Sequence, residues 1–182
     1  MMNLQPTLKN ELVRLRPIKQ EDFNQLFQIA KDPLIWEQHP AKNRYQKKIF
    51  LNFFNDSIKS LGALIIEEIS TNEIIGSTRF KSIENTENAV EIGWSFLSRD
   101  KWGGKYNKAF KDLMIDYALQ HIDSVVFYID VKNIRSQRAV KKLGGKIIIT
   151  DSSYDHLIKQ SQNDLAYRIG YQEWRNMKAS RK

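Results

Sequence analysis

The chain contains no cysteine, and that absence removes disulfides, thiolate metal sites and every cysteine nucleophile. It also suits a reducing compartment, so a cytoplasmic setting is expected. Four prolines and eight glycines in 182 residues exclude collagen-like and Pro/Gly-rich low-complexity classes. Long apolar runs are missing as well. Ala63–Ile66 and Val125–Ile129 fall far short of the roughly 18 residues that cross a bilayer. Met1 to Leu15 holds no apolar core of a leader peptide, so neither secretion nor membrane insertion is expected. His39, His121 and His156 have no metal-ligand spacing, and no metal is expected. There is no Gly-x-Ser-x-Gly elbow for a serine hydrolase. Acidic residues are the scarcer sign, 21 against 29 basic, giving a net charge of +8. Such a surface attracts an anion without naming it: nucleic acid, anionic lipid and a phosphate-rich cofactor all stay open.

What is present reads as one globular domain over residues 1–182, with 41% hydrophobic and 27% charged residues. A chain of this length buries roughly 70% of the surface its unfolded form exposes. Leu12–Arg16 alternates apolar and polar as a short strand ended by Pro17. Glu21–Ala30 and Gln46–Leu61 carry apolar residues at helical spacing, the second with Phe50, Phe53 and Phe54 as core or interface. Ala63–Ile69, Ile74–Ile83 and Ala89–Leu97 are strands joined by short polar turns, an antiparallel meander. The pattern then becomes β-α-β-α-β. A helix over Asn107–Ile122, a strand over Val125–Val131 and a helix over Ser136–Leu143 follow, with Gly144 as a left-handed cap. Ile147–Thr150 and Leu165–Ile169 form a hairpin across Asp151–Asn163, and Tyr171–Lys182 is a helical tail. The fold class is α/β with a mixed sheet (α+β).

The strand ending at Leu97 runs through Ser98–Asn107 directly into a helix. Gly103 and Gly104 let backbone N–H groups approach an anion, and the helix N-terminus adds dipole and unpaired donors. Lys101, Lys105 and Lys108 put charge around the same point. The arrangement suits a pyrophosphate, and equally a plain turn with a solvated lysine face. A P-loop fails because Gly104-Lys105 is followed by Tyr106. A dinucleotide fingerprint fails because Gly103 and Gly104 are adjacent rather than spaced.

The next loop reads Asn133-Ile134-Arg135-Ser136 and continues to Leu143-Gly144-Gly145. Here the sequence resembles the GNAT superfamily of acyl-CoA-dependent N-acetyltransferases, closest to its RimJ/RimL-type branch. The resemblance also runs through Val13–Pro17, Glu21-Asp22, Ile74–Gly76, Glu91–Trp94 and the Trp102-Gly103 loop. It departs from the family at Lys105, where a glycine is usual, and at Gly145, where an aromatic residue is usual.

The resemblance implies a meander followed by β-α-β-α-β, with two central parallel strands splayed around acetyl-CoA. It implies that main chain at Phe96 and Leu97 pairs with the pantetheine arm, and that Trp102, Gly103, Gly104, Lys105, Tyr106 and Asn107 form the pyrophosphate loop. Asn133 would hydrogen-bond the pantetheine. Arg138, with Arg135 and Lys141, would meet the adenosine phosphates, while Lys142 reads as solvated.

Acetyl transfer needs a deprotonated amine, a polarised thioester carbonyl and a stabilised thiolate. Glu91 is the first candidate base: it shares a strand face with Gly93 and Ser95, and burial would raise a carboxylate's pKa. Its rival role is a core ion pair with Arg79. Asp155 is a second candidate base. Ser136 is the candidate acid, with helix capping as its ordinary alternative, and Tyr128 is a further proton donor. A backbone N–H near Ser95–Leu97 would polarise the carbonyl. Trp36–Tyr45 and Thr150–Gln162 should flank the acceptor, a small-molecule amine or a protein N-terminus. Two rival functions stay open: a basic nucleic-acid-binding module and an inactive CoA-binding homologue. No nucleic acid or membrane partner is expected, and the chain is expected as monomer or homodimer.

Overall fold

Val13 and Leu15 are fully buried while the arginines between and beyond them face a line of acids. These residues form β2 (Val13–Pro17), which pairs with a two-residue edge strand, β1 (Leu8–Lys9), that the sequence pattern did not announce. Arg16 donates to both oxygens of Asp22, at 2.7 and 2.8 Å, and to Glu67 at 2.6 Å. That fork-shaped pairing suits a planar guanidinium, and the two acids raise the Arg16 pKa. The Val13–Pro17 segment and Asp22 are thereby explained as a fastening between β2, the turn at Gln20–Asp22 and β3 (Ala63–Glu68).

The computed structural model describes residues 2–150, 152–158 and 163–180. Two helices, α1 (Phe23–Ala30) and α2 (Lys47–Lys59), pack Leu26, Ala30, Phe50, Phe53 and Phe54 against Ile65 and Phe96. The phenylalanines of α2 are therefore core. The meander is β3, β4 (Ile74–Ser82) and β5 (Ala89–Leu97), all antiparallel. Then come α3 (Lys105–Ala118), β6 (Ser124–Asp130), α4 (Ile134–Lys142), β7 (Lys146–Ile147), β8 (Asp164–Gly170) and α5 (Tyr171–Ala179). The strand expected at Ile147–Thr150 is shorter and starts one residue earlier. The tail helix ends at Ala179. Asp151, 159–162 and 181–182 lie outside the described residues, as does that part of the expected hairpin loop.

The sheet order is β1-β2-β3-β4-β5-β6-β8-β7. Among the described residues, β5 and β6 are the one parallel pair, joined over Ala89–Glu91 and Ser124–Val126. Beyond Glu91 the two strands part company: β5 continues with β4, and β6 with β8. The cause is local. Gly93 faces Arg79 and Phe96 faces Ser77, so Trp94 and Ser95 together oppose Thr78. Trp94 takes a left-handed φ of 52°, which forms a β-bulge and re-aims β5. The alternation read from sequence shifts by one beyond Trp94.

A candidate active site in the splay

The parting of β5 and β6 opens two cavities. The larger, about 660 Å³, lies between the β5 end, the start of α3 and α4. The smaller, about 330 Å³, lies between β5, β6 and the segment before α2. Both are lined by Ser95, Asn107, Asn133 and Ser136, so they meet there.

In the larger cavity the expected residues Phe96, Leu97, Trp102, Gly103, Gly104, Asn107, Asn133 and Arg138 come together. Gly103 has φ 68°, a conformation that favours glycine, and Gly104 is extended at the N-cap of α3 with no side chain capping it. Lys105 is the first helical residue of α3, a backbone any residue adopts, so lysine in the family's glycine position imposes no strain. Lys105 and Tyr106 are absent from the cavity wall. The Tyr106 hydroxyl donates to Glu68, which also pairs with Lys101 at 3.0 Å. These two bonds hold the Glu68 carboxyl below its usual range. Of the loop lysines, only Lys108 faces the cavity. Of the α4 lysines, Lys142 edges it while staying exposed, and Lys141 is absent from its wall.

The Phe96 carbonyl faces β4, so close to Gly76 that a Cβ there would lie 2.1 Å from it. Alternation then turns the Leu97 main chain toward the splay, where the Leu97 carbonyl accepts from the Trp102 indole at 3.0 Å. Phe96 contributes its ring instead, 5.0 Å from Trp36. Arg135 does not point at the larger cavity's anion end. It lies 4.1 Å over the Trp102 ring and donates to the Ile35 carbonyl at 2.9 Å. Gly145 leaves no room for the family's aromatic residue, since a Cβ there would sit 2.4 Å from Val140 Cγ1.

Asn133, not Ser136, caps α4: its Oδ1 accepts the Ser136 N–H at 3.1 Å. That leaves Asn133 Nδ2 as a donor toward the cavities. The Ser136 hydroxyl has no hydrogen-bond partner among the described residues and sits where the cavities meet. The ordinary alternative for this serine is thus removed.

The smaller cavity is lined by Glu91, itself buried, with its Oε1 beside Gly93. Arg79 faces Gly93 across the ladder, donates to Ser57 at 2.5 Å and lies 4.6 Å over the Trp94 ring. His39 and Arg44, from the first of the two segments read as flanking the acceptor, line this cavity. Burial, Arg44 and Arg135 push the His39 ring down to about 4, so it is neutral. Its Nδ1 accepts the Ala41 N–H at 2.9 Å, and the Arg44 guanidinium lies 3.3 Å from its Nε2. The described residues of the second flanking segment, 150 and 152–158, line neither cavity, and the rest of it lies outside the described residues. Asp155 accepts the Ser152 N–H at 3.2 Å, Tyr154 stacks under Arg168 at 3.8 Å, and neither lines a cavity. Tyr128 lines the smaller cavity, but its hydroxyl donates to the Leu157 carbonyl at 2.6 Å, and burial pushes the phenol up to about 12.

Sequence reasoning missed Lys111, Asp130 and Asp164, which all line the smaller cavity. Lys111 falls on the inward stripe of α3, between Phe110 and Met114, and a lysine in an apolar stripe was the available signal. Among the described residues no group of three or more His, Asp or Glu side chains is arranged to hold a metal, and no helix is long and apolar enough to cross a membrane.

The family model for the acetyltransferase (GNAT) domain matches residues 13–146, and the chain belongs to that family. It is accordingly an acyl-CoA-dependent N-acetyltransferase with acetyl-CoA as co-substrate. No curated protein matches the chain. Solved structures share the fold. A GCN5-related N-acetyltransferase from Brucella melitensis aligns with TM-score 0.78 and 15% identity over 97% of this chain and 83% of its own. RimJ from Mycobacterium smegmatis, solved with CoA-disulfide, gives 0.66 and 14% over 96% and 93%. Spermidine N-acetyltransferase from Vibrio cholerae, solved with CoA and spermine, gives 0.67 and 13% over 92% and 100%.

Proposed function

We propose that the chain acetylates the N-terminal amine of a peptide or protein, as a RimJ/RimL-type enzyme does, with acetyl-CoA in the larger cavity and the amine in the smaller. The observation that carries this reading is the meeting of the two cavities at Ser95, Asn133 and Ser136, with the open N-terminus of α3 at one end. The residues present suit the co-substrate. Unpaired N–H groups from Gly103 to Asn107 suit a diphosphate, with Lys108, Arg138 and Lys142 adding charge. Asn133 Nδ2 and the Leu97 main chain suit an amide-bearing arm.

On the acceptor side, Glu91 draws in the ammonium and is the candidate to take its proton. A bulge N–H at Ser95–Leu97 would polarise the carbonyl, and the Ser136 hydroxyl would protonate the departing sulfur. Peptide is favoured over a simple amine by the facing strand edges. Ile92–Ser95 of β5 and Phe127–Asp130 of β6 border the smaller cavity without pairing to each other, so an extended main chain would find partners there. A polyamine is the second reading, favoured by Glu91, Asp130 and Asp164 on the same wall.

Two measurements decide. Acetyl-CoA at about 100 times its Kd should raise the melting temperature by roughly 5–10 °C, and no shift would end the reading. Thiol release should be faster with a short peptide bearing a free N-terminus than with the same peptide N-blocked or with spermidine. The reverse order would replace the peptide reading with the polyamine one.

A further inference from the structure

The inward face of α3 carries Phe110, Lys111, Met114 and Ile115, and all four are buried. Lys111 is 6% exposed. Its Nζ lies 2.7 Å from Ser95 Oγ, inside the bulge, and 5.1 and 5.2 Å over the Phe110 and Phe127 rings. Among the described residues no carboxylate stands within ion-pair distance of it. A lysine held this way is costly to bury as a cation, and burial alone pushes it down to about 7. Ser95 Oγ also bonds Thr78 Oγ1 at 2.7 Å and the Gly93 carbonyl at 3.2 Å. The serine proton can go to either of those, which leaves Ser95 Oγ to accept from Nζ. A neutral Lys111 then donates one N–H to Ser95 and keeps its lone pair for the cavity. The ionisable groups around that cavity are Glu91 on β5, Tyr128 and Asp130 on β6, Asp164 on β8, and His39 and Arg44 ahead of α2. Asp112 is the neighbour on α3 itself.

We propose that Lys111 Nζ, rather than the candidate Glu91, is the catalytic proton acceptor, taking the proton that the acceptor ammonium must lose before its nitrogen attacks, and that Glu91 serves to draw the ammonium in. The inference rests on the smaller cavity holding the amine. The ammonium N–H bond breaks and a new N–H bond forms at Lys111, so one positive charge moves and none is created or destroyed. Such a transfer suits a buried site because little solvation is lost. The amine lone pair then forms the C–N bond to the thioester carbonyl and the C–S bond breaks. The second proton of the nitrogen goes to the sulfur by way of Ser136, and Lys111 later gives its proton to water. The new Lys111 cation stands by the Ser95 bulge, where it would steady the carbonyl oxygen as that oxygen turns negative.

The test uses the full chain with [13Cε]lysine, the Lys111 signal being assigned by its loss in Lys111→Met. The expected midpoint is near 7, read on the protein alone and so independent of any acceptor. A midpoint above about 9 overturns the proposal. Thiol release with the free peptide and with spermidine gives the second readout. Wild-type kcat/KM should rise through pH 7 as Lys111 loses its proton. Lys111→Met should lose that limb and about a hundredfold of rate. Lys111→Arg, which keeps the charge but holds its proton, should be equally slow. A limb unchanged in Lys111→Met, or an active Lys111→Arg, overturns the proposal. An unaltered thermal shift with acetyl-CoA shows that each variant is folded. Failure of the acetyl-transfer reading itself would appear separately, as no such shift in the wild type.

Discussion

Ser136 has a backbone that is committed and a side chain that is not. Its N–H is bound by Asn133, while its hydroxyl faces the junction of both cavities. Removing that hydroxyl should therefore leave α4 intact and act on the departing sulfur alone. Ser136→Ala is expected to lower kcat by about tenfold to a hundredfold with little change in KM for acetyl-CoA, measured by steady-state thiol release. An equal loss in CoA affinity would make the serine a binding residue instead. Glu91 and Lys111 differ from Ser136 in how they could be read from sequence. Glu91 was visible because a carboxylate beside Gly93 on a central strand asks for a cavity. Lys111 was hidden because apolar periodicity treats a lysine as a break in the stripe, although it sits at a slot that Phe110 and Met114 define as inward.

At the scale of the element, the Ser98–Asn107 loop shows two glycines with different duties. Gly103 needs its glycine for conformation, with φ 68°. Gly104 is extended, and the nearest atom a Cβ would meet is 3.8 Å away. Gly103→Ala should cost about 1–2 kcal/mol of stability and weaken acetyl-CoA binding, whereas Gly104→Ala should stay within about 0.5 kcal/mol of wild type in stability. Chemical denaturation with both variants checks this, and equal losses would contradict the assignment. The loop's position between strand and helix was legible from its glycines and polarity. The fate of its side chains was not. Lys101 and Tyr106 turn to Glu68, a residue on β3 that is distant in sequence. Asp155 lines neither cavity for a related reason: it accepts the Ser152 N–H within a local turn.

At the scale of the molecule, one packed core lies under α3 and α5 and another under α1 and α2, on the same sheet. Arg135 ties them across the mouth of the larger cavity, stacking on Trp102 and donating to Ile35, while its own N–H meets Gln38 at 3.1 Å. Arg135→Ala should remove roughly 1–2 kcal/mol of that tie. Hydrogen exchange is expected to speed up over residues 33–46, with β2–β4 unchanged and acetyl-CoA bound about tenfold more weakly. Uniform exchange over the whole chain would show that Arg135 supports global stability rather than this one junction.

The order of elements from β2 onward, the meander, the helical faces of α2 and α3 and the site loop were determined by the sequence alone, because each is written in spacings of a few residues. The splay was a different matter. It depends on which residues of β5 sit opposite Thr78, and a bulge becomes visible only when the partner strand is in place. The same holds for the cavity wall, which gathers Glu91, Lys111, Asp130 and Asp164 from four elements. Periodicity reports which way a side chain faces along its own element. What it faces, and whether water can reach it, was decided by tertiary packing, and that packing sets the charge state of Lys111 and His39.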